Sequence, residues 1–146
     1  MKKNLTLYKT YSLSFDVYFN QFRPGEHESI IRLTNTNENH VKPGDRVVGV
    51  WTYKTDSSSS KPLYIARAGG FFVTNTFYSL KQWIHVDIRQ VLRDGRFSYI
   101  VTINNKKEHE VENKDPKVHK DLVFYTSDRF YEPAFGVIRK IKITSG

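Results

Sequence analysis

Tyr11-Ser12-Leu13-Ser14-Phe15-Asp16-Val17-Tyr18-Phe19 is the stretch on which the fold turns. Tyr11, Leu13, Phe15, Val17 and Phe19 alternate with Ser12, Ser14, Asp16 and Tyr18, the period-two signature of a strand that buries one face and wets the other. Arg23-Pro24-Gly25-Glu26 ends it with turn chemistry, and Ser29 to Thr34 resumes as a second strand that pairs with the first or packs close to it.

The pattern then repeats along the chain. Asn35 to Asp45, with three Asn, a His and Pro43-Gly44-Asp45, reads as a long surface loop. Arg46 to Tyr53 is β-branched and aromatic, a third strand, and Asp56-Ser57-Ser58-Ser59-Ser60 is a connection or hairpin tip. Leu63 to Ala68 and Phe71 to Thr76 flank Gly69-Gly70, a pair that accepts positive φ in a tight turn. Trp83 to Val91 turns through Arg93-Asp94-Gly95-Arg96 into Phe97 to Ile103. Asn104-Asn105 leads on to Lys107 to Glu112, completing a meander whose last member is polar enough for a sheet edge. Leu122 to Thr126 and Val137 to Ile143 follow. About ten short strands and no amphipathic helix point to two packed antiparallel sheets.

Length and composition agree with this reading. The chain has 146 residues, room for one domain over 1–146, with 38% hydrophobic residues and 14% aromatics, enough to build a core. Lys and Arg number 23 against 15 Asp and Glu, a formal charge of +8 that favours anionic partners. The densest basic cluster, Arg139-Lys140-Ile141-Lys142, is either a solvated sheet face or a binding surface for an acidic polymer. Without cysteine there is no disulfide, thiolate zinc site or thiol nucleophile. Met1-Lys2-Lys3 opens like a basic leader, but Asn4-Leu5-Thr6-Leu7 does not continue as the apolar run of an intact signal peptide. No window is long and apolar enough for a membrane helix.

Signals for catalysis are missing. The histidines at 27, 40, 85, 109 and 119 show no metal-ligand spacing and read as isolated exposed groups. Asp16 and Asp87 are single acids on separate strands rather than the alternating carboxylates that run glycoside hydrolysis on a sheet. Nucleophile elbows, phosphate loops and dinucleotide fingerprints are absent. Two segments combine carboxylate, guanidinium and ring: Asp45 and Arg46 leading to Trp51, and Asp128, Arg129 and Tyr131. Such sets bind sugars, with the polar groups on hydroxyls and the ring against the apolar sugar face. The same residues also serve as turn caps, local ion pairs and loop anchors, so both roles stand open. Nucleic acid is not expected, because the aromatics fall mostly on the buried phase and no continuous basic stripe is visible.

The chain resembles the concanavalin A-like lectin and laminin G-like jelly rolls, and within them the small lectin-like modules of secreted invertebrate proteins. The resemblance is carried by Tyr11 to Val17, Gly44-Asp45-Arg46-Val47-Val48-Gly49-Val50-Trp51, Leu80 to Ile88, Phe97 to Asn105, Tyr125-Thr126-Ser127-Asp128 and Gly136 to Ile143. It implies an all-β jelly-roll sandwich, secreted or extracellular, that binds a glycan or glycoprotein through rim loops or the concave sheet. Asp45, Arg46, Trp51, Asp128, Arg129 and Tyr131 become its ligand-binding residues. The alternative it implies is an adhesion module for acidic proteins or sulfated polysaccharide. No catalytic residue and no cofactor are expected. Calcium sits at the rim of many relatives, but Asp45 and Asp128 are few acids to hold it. Galectins are similar in size, yet their His-x-Asn-x-Arg and Trp-x-x-Glu-x-Arg signatures are not found here.

Overall fold

A computed structural model describes residues 5–35, 47–67, 70–126 and 133–146. The strands are β1 (Leu5–Leu7), β2 (Tyr11–Gln21), β3 (Glu28–Thr34), β4 (Val48–Thr52), β5 (Ser60–Lys61), β6 (Leu63–Arg67) and β7 (Gly70–Val73). They continue with β8 (Tyr78–Ser79), β9 (Trp83–Arg93), β10 (Arg96–Ile103), β11 (Lys106–Asn113), β12 (His119–Tyr125) and β13 (Phe135–Ser145). Two large antiparallel sheets result, a six-stranded one in the order β1-β12-β3-β4-β6-β7 and a five-stranded one in the order β11-β10-β9-β2-β13.

The alternation in β2 does what it predicts. Leu13, Phe15, Val17 and Phe19 point into a core shared with Ile84, Val86 and Ile88 of β9 and with Tyr99, Val101 and Ile103 of β10. Ile31, Leu33, Val48, Val50, Leu63 and Ile65 close that core from the other sheet. Fully burying an aliphatic or Phe side chain of this kind contributes about 1.5–3 kcal/mol relative to leaving it in water. Strands β2 and β3 therefore pack across the sandwich from different sheets and do not pair.

Two hairpins are set by their turn residues. Asp94 and Gly95 take φ of 51° and 74°, and Asn104 and Asn105 take 51° and 64°, so both central residues are left-handed in each two-residue turn. That twist matches the twist of the flanking strands. β11 is the sheet edge the polarity of Lys106–Asn113 predicts. β1, β5 and β8 are additional short strands. Leu5–Leu7 pairs with β12, and Ser60, the last residue of the serine run read as a connection or hairpin tip, forms with Lys61 a small ladder with β8.

Candidate functional site

The register of the six-stranded sheet sorts its side chains into two faces. Val48 and Val50 join the core, so Gly49, Trp51 and the following Tyr53 lie on the side turned away from it. Arg32 pairs with Gly49 and with Tyr125, and Trp51 pairs with Tyr64. Tyr64 and Ala66 stand opposite Val73 and Phe71, which places Phe71 on that same side.

The result is a graded series of rings. Trp51, fully buried, meets Tyr64 edge-on at 5.6 Å between centroids. Tyr64 lies 4.4 Å from Phe71, 5.9 Å from Tyr53 and 5.0 Å from His27. Tyr53 and Tyr64 are half-buried, and Phe71 is 45% exposed. Arg32 is as deeply buried as Trp51. The surface thus steps from a buried cation and indole to an open ring across four strands.

His27 reaches this surface because the turn that carries it is stapled. Glu28, fully buried, accepts from the Arg23 backbone N–H at 3.0 Å and from Arg23 Nη1 at 2.9 Å. Lys61 Nζ, also buried, donates to the carbonyls of Arg23 and Glu26 and lies 3.8 Å from Glu28. Burial pushes the Lys61 ammonium below its ordinary pKa, against the pull of Glu28 and Glu26. Gly25, at φ 75°, donates its N–H to the Thr55 carbonyl and closes the turn. His27 Nδ1 accepts the Lys54 backbone N–H at 3.1 Å, so that nitrogen is bare and the proton sits on Nε2. Its 3.3 Å approach to the Thr52 carbonyl is then a contact rather than a donated bond. Burial holds the His27 pKa below 6.5.

No family profile and no curated protein sequence matches the chain. Solved structures do. A native heptameric SAP-like pentraxin from Limulus polyphemus superposes with a TM-score of 0.63 at 12% identity, over 97% of this chain and 66% of that one. A marine PL7 alginate lyase from Zobellia galactanivorans gives 0.62 at 16% identity, over 97% and 65%. The fold is a concanavalin A-like jelly roll. The receptor binding domain of botulinum neurotoxin type G shares it, with a TM-score of 0.55 at 9% identity over 98% of this chain and 40% of that one. This chain spans just under two thirds of the pentraxin and lyase chains. At such identities the likeness speaks for the jelly roll alone.

Of the residues singled out from sequence, Asp45, Arg46, Asp128, Arg129 and Tyr131 lie outside the described residues. Their flanks leave the jelly roll at opposite ends of β3. Asn35 and Val47 adjoin the Leu33–Val48 pair, whereas Pro133 bridges to Ser29, beside Trp51. Trp51 needs correction as a ligand contact. Its indole is fully buried across Gly49 and presents no open face to a sugar. On this face the rings that reach solvent are Tyr53, Tyr64 and Phe71, with His27; the sequence reading did not single out the three aromatics as site residues, and it took His27 for an isolated exposed group. Their signal was there in the off-phase aromatics: Tyr64 sits between inward-facing Leu63 and Ile65, and Phe71 precedes Phe72, which packs on the core.

Other sequence readings shift as well. His109 is not an exposed group, since its ring stacks on Phe72 at 4.1 Å. Most of the described aromatics are buried or half-buried, and Tyr8, Phe71, Phe77, Trp83 and Phe135 are the exposed ones among them. Asp87 is salt-bridged to Arg89, as a lone strand acid is expected to be. Among the described residues no three His, Cys, Asp or Glu side chains gather as a metal site, and no helix is long and apolar enough to cross a membrane.

Proposed function

We propose that this chain is a non-catalytic carbohydrate-binding module whose sugar surface is the outward face of the six-stranded sheet, built from His27, Tyr53, Tyr64 and Phe71. The observation that carries the reading is the ring series ending in half-exposed Phe71, 4.4 Å from Tyr64. Adjoining rings give the apolar face a pyranose needs, while the Tyr53 hydroxyl supplies a polar group for its hydroxyls. Buried Trp51 backs Tyr64 and holds it in place. Asp45, Arg46, Asp128, Arg129 and Tyr131 remain proposed loop contributors to the same ligand. A secreted or cell-surface location goes with this reading.

The alginate lyase neighbour gives the proposal a carbohydrate context and also its rival, since a jelly roll can cleave a polysaccharide as well as hold it. A glycan array read with wild-type protein and with Tyr64→Ala and Phe71→Ala decides the matter. Binding that falls about tenfold or more in each variant supports the face, in line with an aromatic contact of 1–2 kcal/mol. Wild-type affinity in both variants removes the site, and no glycan binding at all removes the function. New reducing or unsaturated ends released from a polysaccharide panel replace it with catalysis.

A further inference from the structure

A second open constellation lies on the other sheet, on the face turned away from the core. The alternation that buries Phe15 and Val17 turns Asp16 and Tyr18 outward. The register sets His85 beside Asp16 and Trp83 beside Tyr18 on β9, and Arg139 beside Asp16 and Val137 beside Tyr18 on β13. Three strands separated by long stretches of sequence thus meet at one spot.

Arg139 is held there from two sides. Its Nε donates to Asp16 Oδ2 at 3.2 Å, and its guanidinium carbon lies 3.6 Å from the centre of the Trp83 ring. His85 Nδ1 bonds the other carboxylate oxygen at 2.7 Å, so Asp16 is fixed too. The Asp16 side chain is 11% exposed and that of Arg139 43%. The two Nη groups of Arg139 make no hydrogen bond to any described residue. A guanidinium pinned at Nε and stacked on one face presents those groups outward as an oriented fork, the geometry that takes a carboxylate or sulfate through two parallel bonds.

The surroundings fit an anion. β13 carries Arg139, Lys140 and Lys142 and no acidic residue, and the whole chain has a formal charge of +8. Asp16, the acid nearest the fork, has both carboxylate oxygens engaged, one by Arg139 Nε and the other by His85 Nδ1. Beside the fork lie the tilted Tyr18 and Trp83 rings, 5.3 Å apart, and a row of hydroxyls from Ser12, Ser14 and Thr144. An extended sheet face with small hydroxyls and flanking rings suits a sugar polymer. Base stacking needs an open ring face, and Arg139 occupies one face of Trp83.

We propose that Arg139, held on Trp83 and Asp16, is an anion-binding site for the carboxylate or sulfate groups of an acidic polysaccharide lying along the five-stranded sheet. This site is separate from the aromatic face of the six-stranded sheet and stands or falls independently of it.

The test uses three soluble polymers on the full chain: polygalacturonate for carboxylate, dextran sulfate for sulfate and neutral dextran as control. The chain holds two tryptophans, of which Trp51 is buried and Trp83 is 39% exposed, so ligand-induced change in indole emission reports on this site. Wild type is expected to bind one or both polyanions, and not dextran, with affinity that drops as salt rises. Arg139→Gln should weaken that binding about tenfold or more, and Arg139→Lys, which keeps charge but not the fork, should weaken it nearly as much. Circular dichroism and thermal midpoints test whether the Arg139 variants are folded; should Arg139→Gln unfold, Arg139→Lys carries the decision. Equal polyanion binding by wild type and folded Arg139 variants overturns the proposal. So does tighter, Arg139-dependent binding of single-stranded DNA, which reassigns the face to nucleic acid.

Discussion

The indole of Trp51 lies across Gly49, so close that a Cβ on that glycine would fall 2.4 Å from Cη2 and 2.7 Å from Cζ3. Gly49 has no side chain because the indole two residues on fills that space. Trp51 in turn props Tyr64, the centre of the ring series. Gly49→Ala must push the indole outward, an overpacking cost of about 1–3 kcal/mol. Urea unfolding should show that loss, and glycan affinity should fall with it, because Tyr64 loses its backing. An unchanged denaturation midpoint would contradict the placement of Trp51.

Gly136 makes a different kind of close approach. A Cβ there would sit 2.2 Å from the Tyr18 carbonyl oxygen, which is backbone and cannot swing aside. Gly136→Ala is expected to separate the start of β13 from β2. Hydrogen exchange at Val137 and Ile138 should speed up while the amides of β9 and β10 keep their protection.

Glu28 and Lys61 are both fully buried, and Arg23 Nη1 completes the cluster. Glu28→Gln leaves Lys61 and Arg23 without their shared carboxylate, an uncompensated buried charge that costs about 3–5 kcal/mol. The double variant Glu28→Gln with Lys61→Met should lose less than the two single losses added together, since it removes the stranded ammonium too. Strict additivity in denaturant melts would show that the charges act independently.

The His27 pKa is held below 6.5 by burial, and its Nδ1 is occupied by the Lys54 N–H. Unfolded chains therefore take up this proton first as pH falls. The contribution from keeping His27 neutral is whole above about pH 6.5, shrinks below it, and levels off once the folded form is protonated as well. His119, also lowered by burial, titrates in the same direction. Thermal midpoints measured from pH 7.5 down to 5.5 should drop, and His27→Gln should flatten part of that slope and leave the share of His119. A slope identical in wild type and variant would refute the role given to His27.

Much of the architecture was legible in the residues. Strict alternation from Tyr11 to Phe19 and from Trp83 to Ile88 marks strands with one buried face, and Asp94-Gly95 and Asn104-Asn105 accept the left-handed turns that make hairpins. Those are local facts, written in side-chain size, polarity and backbone freedom over a few neighbouring positions. Alternation cannot say which strand lies beside which. The pairing of Leu5 with Leu122 and of Asp16 with Arg139 joins residues more than a hundred positions apart, and only the closed jelly roll selects it. The functional surfaces depend on that selection. Trp51 reads as an open ring by itself and is buried because of what the sheet sets around it, while Tyr64 meets Phe71, and Trp83 meets Arg139, solely through register across strands. Period two divides each strand into two faces; contacts made at long range decide which face water reaches and which charges and rings share it.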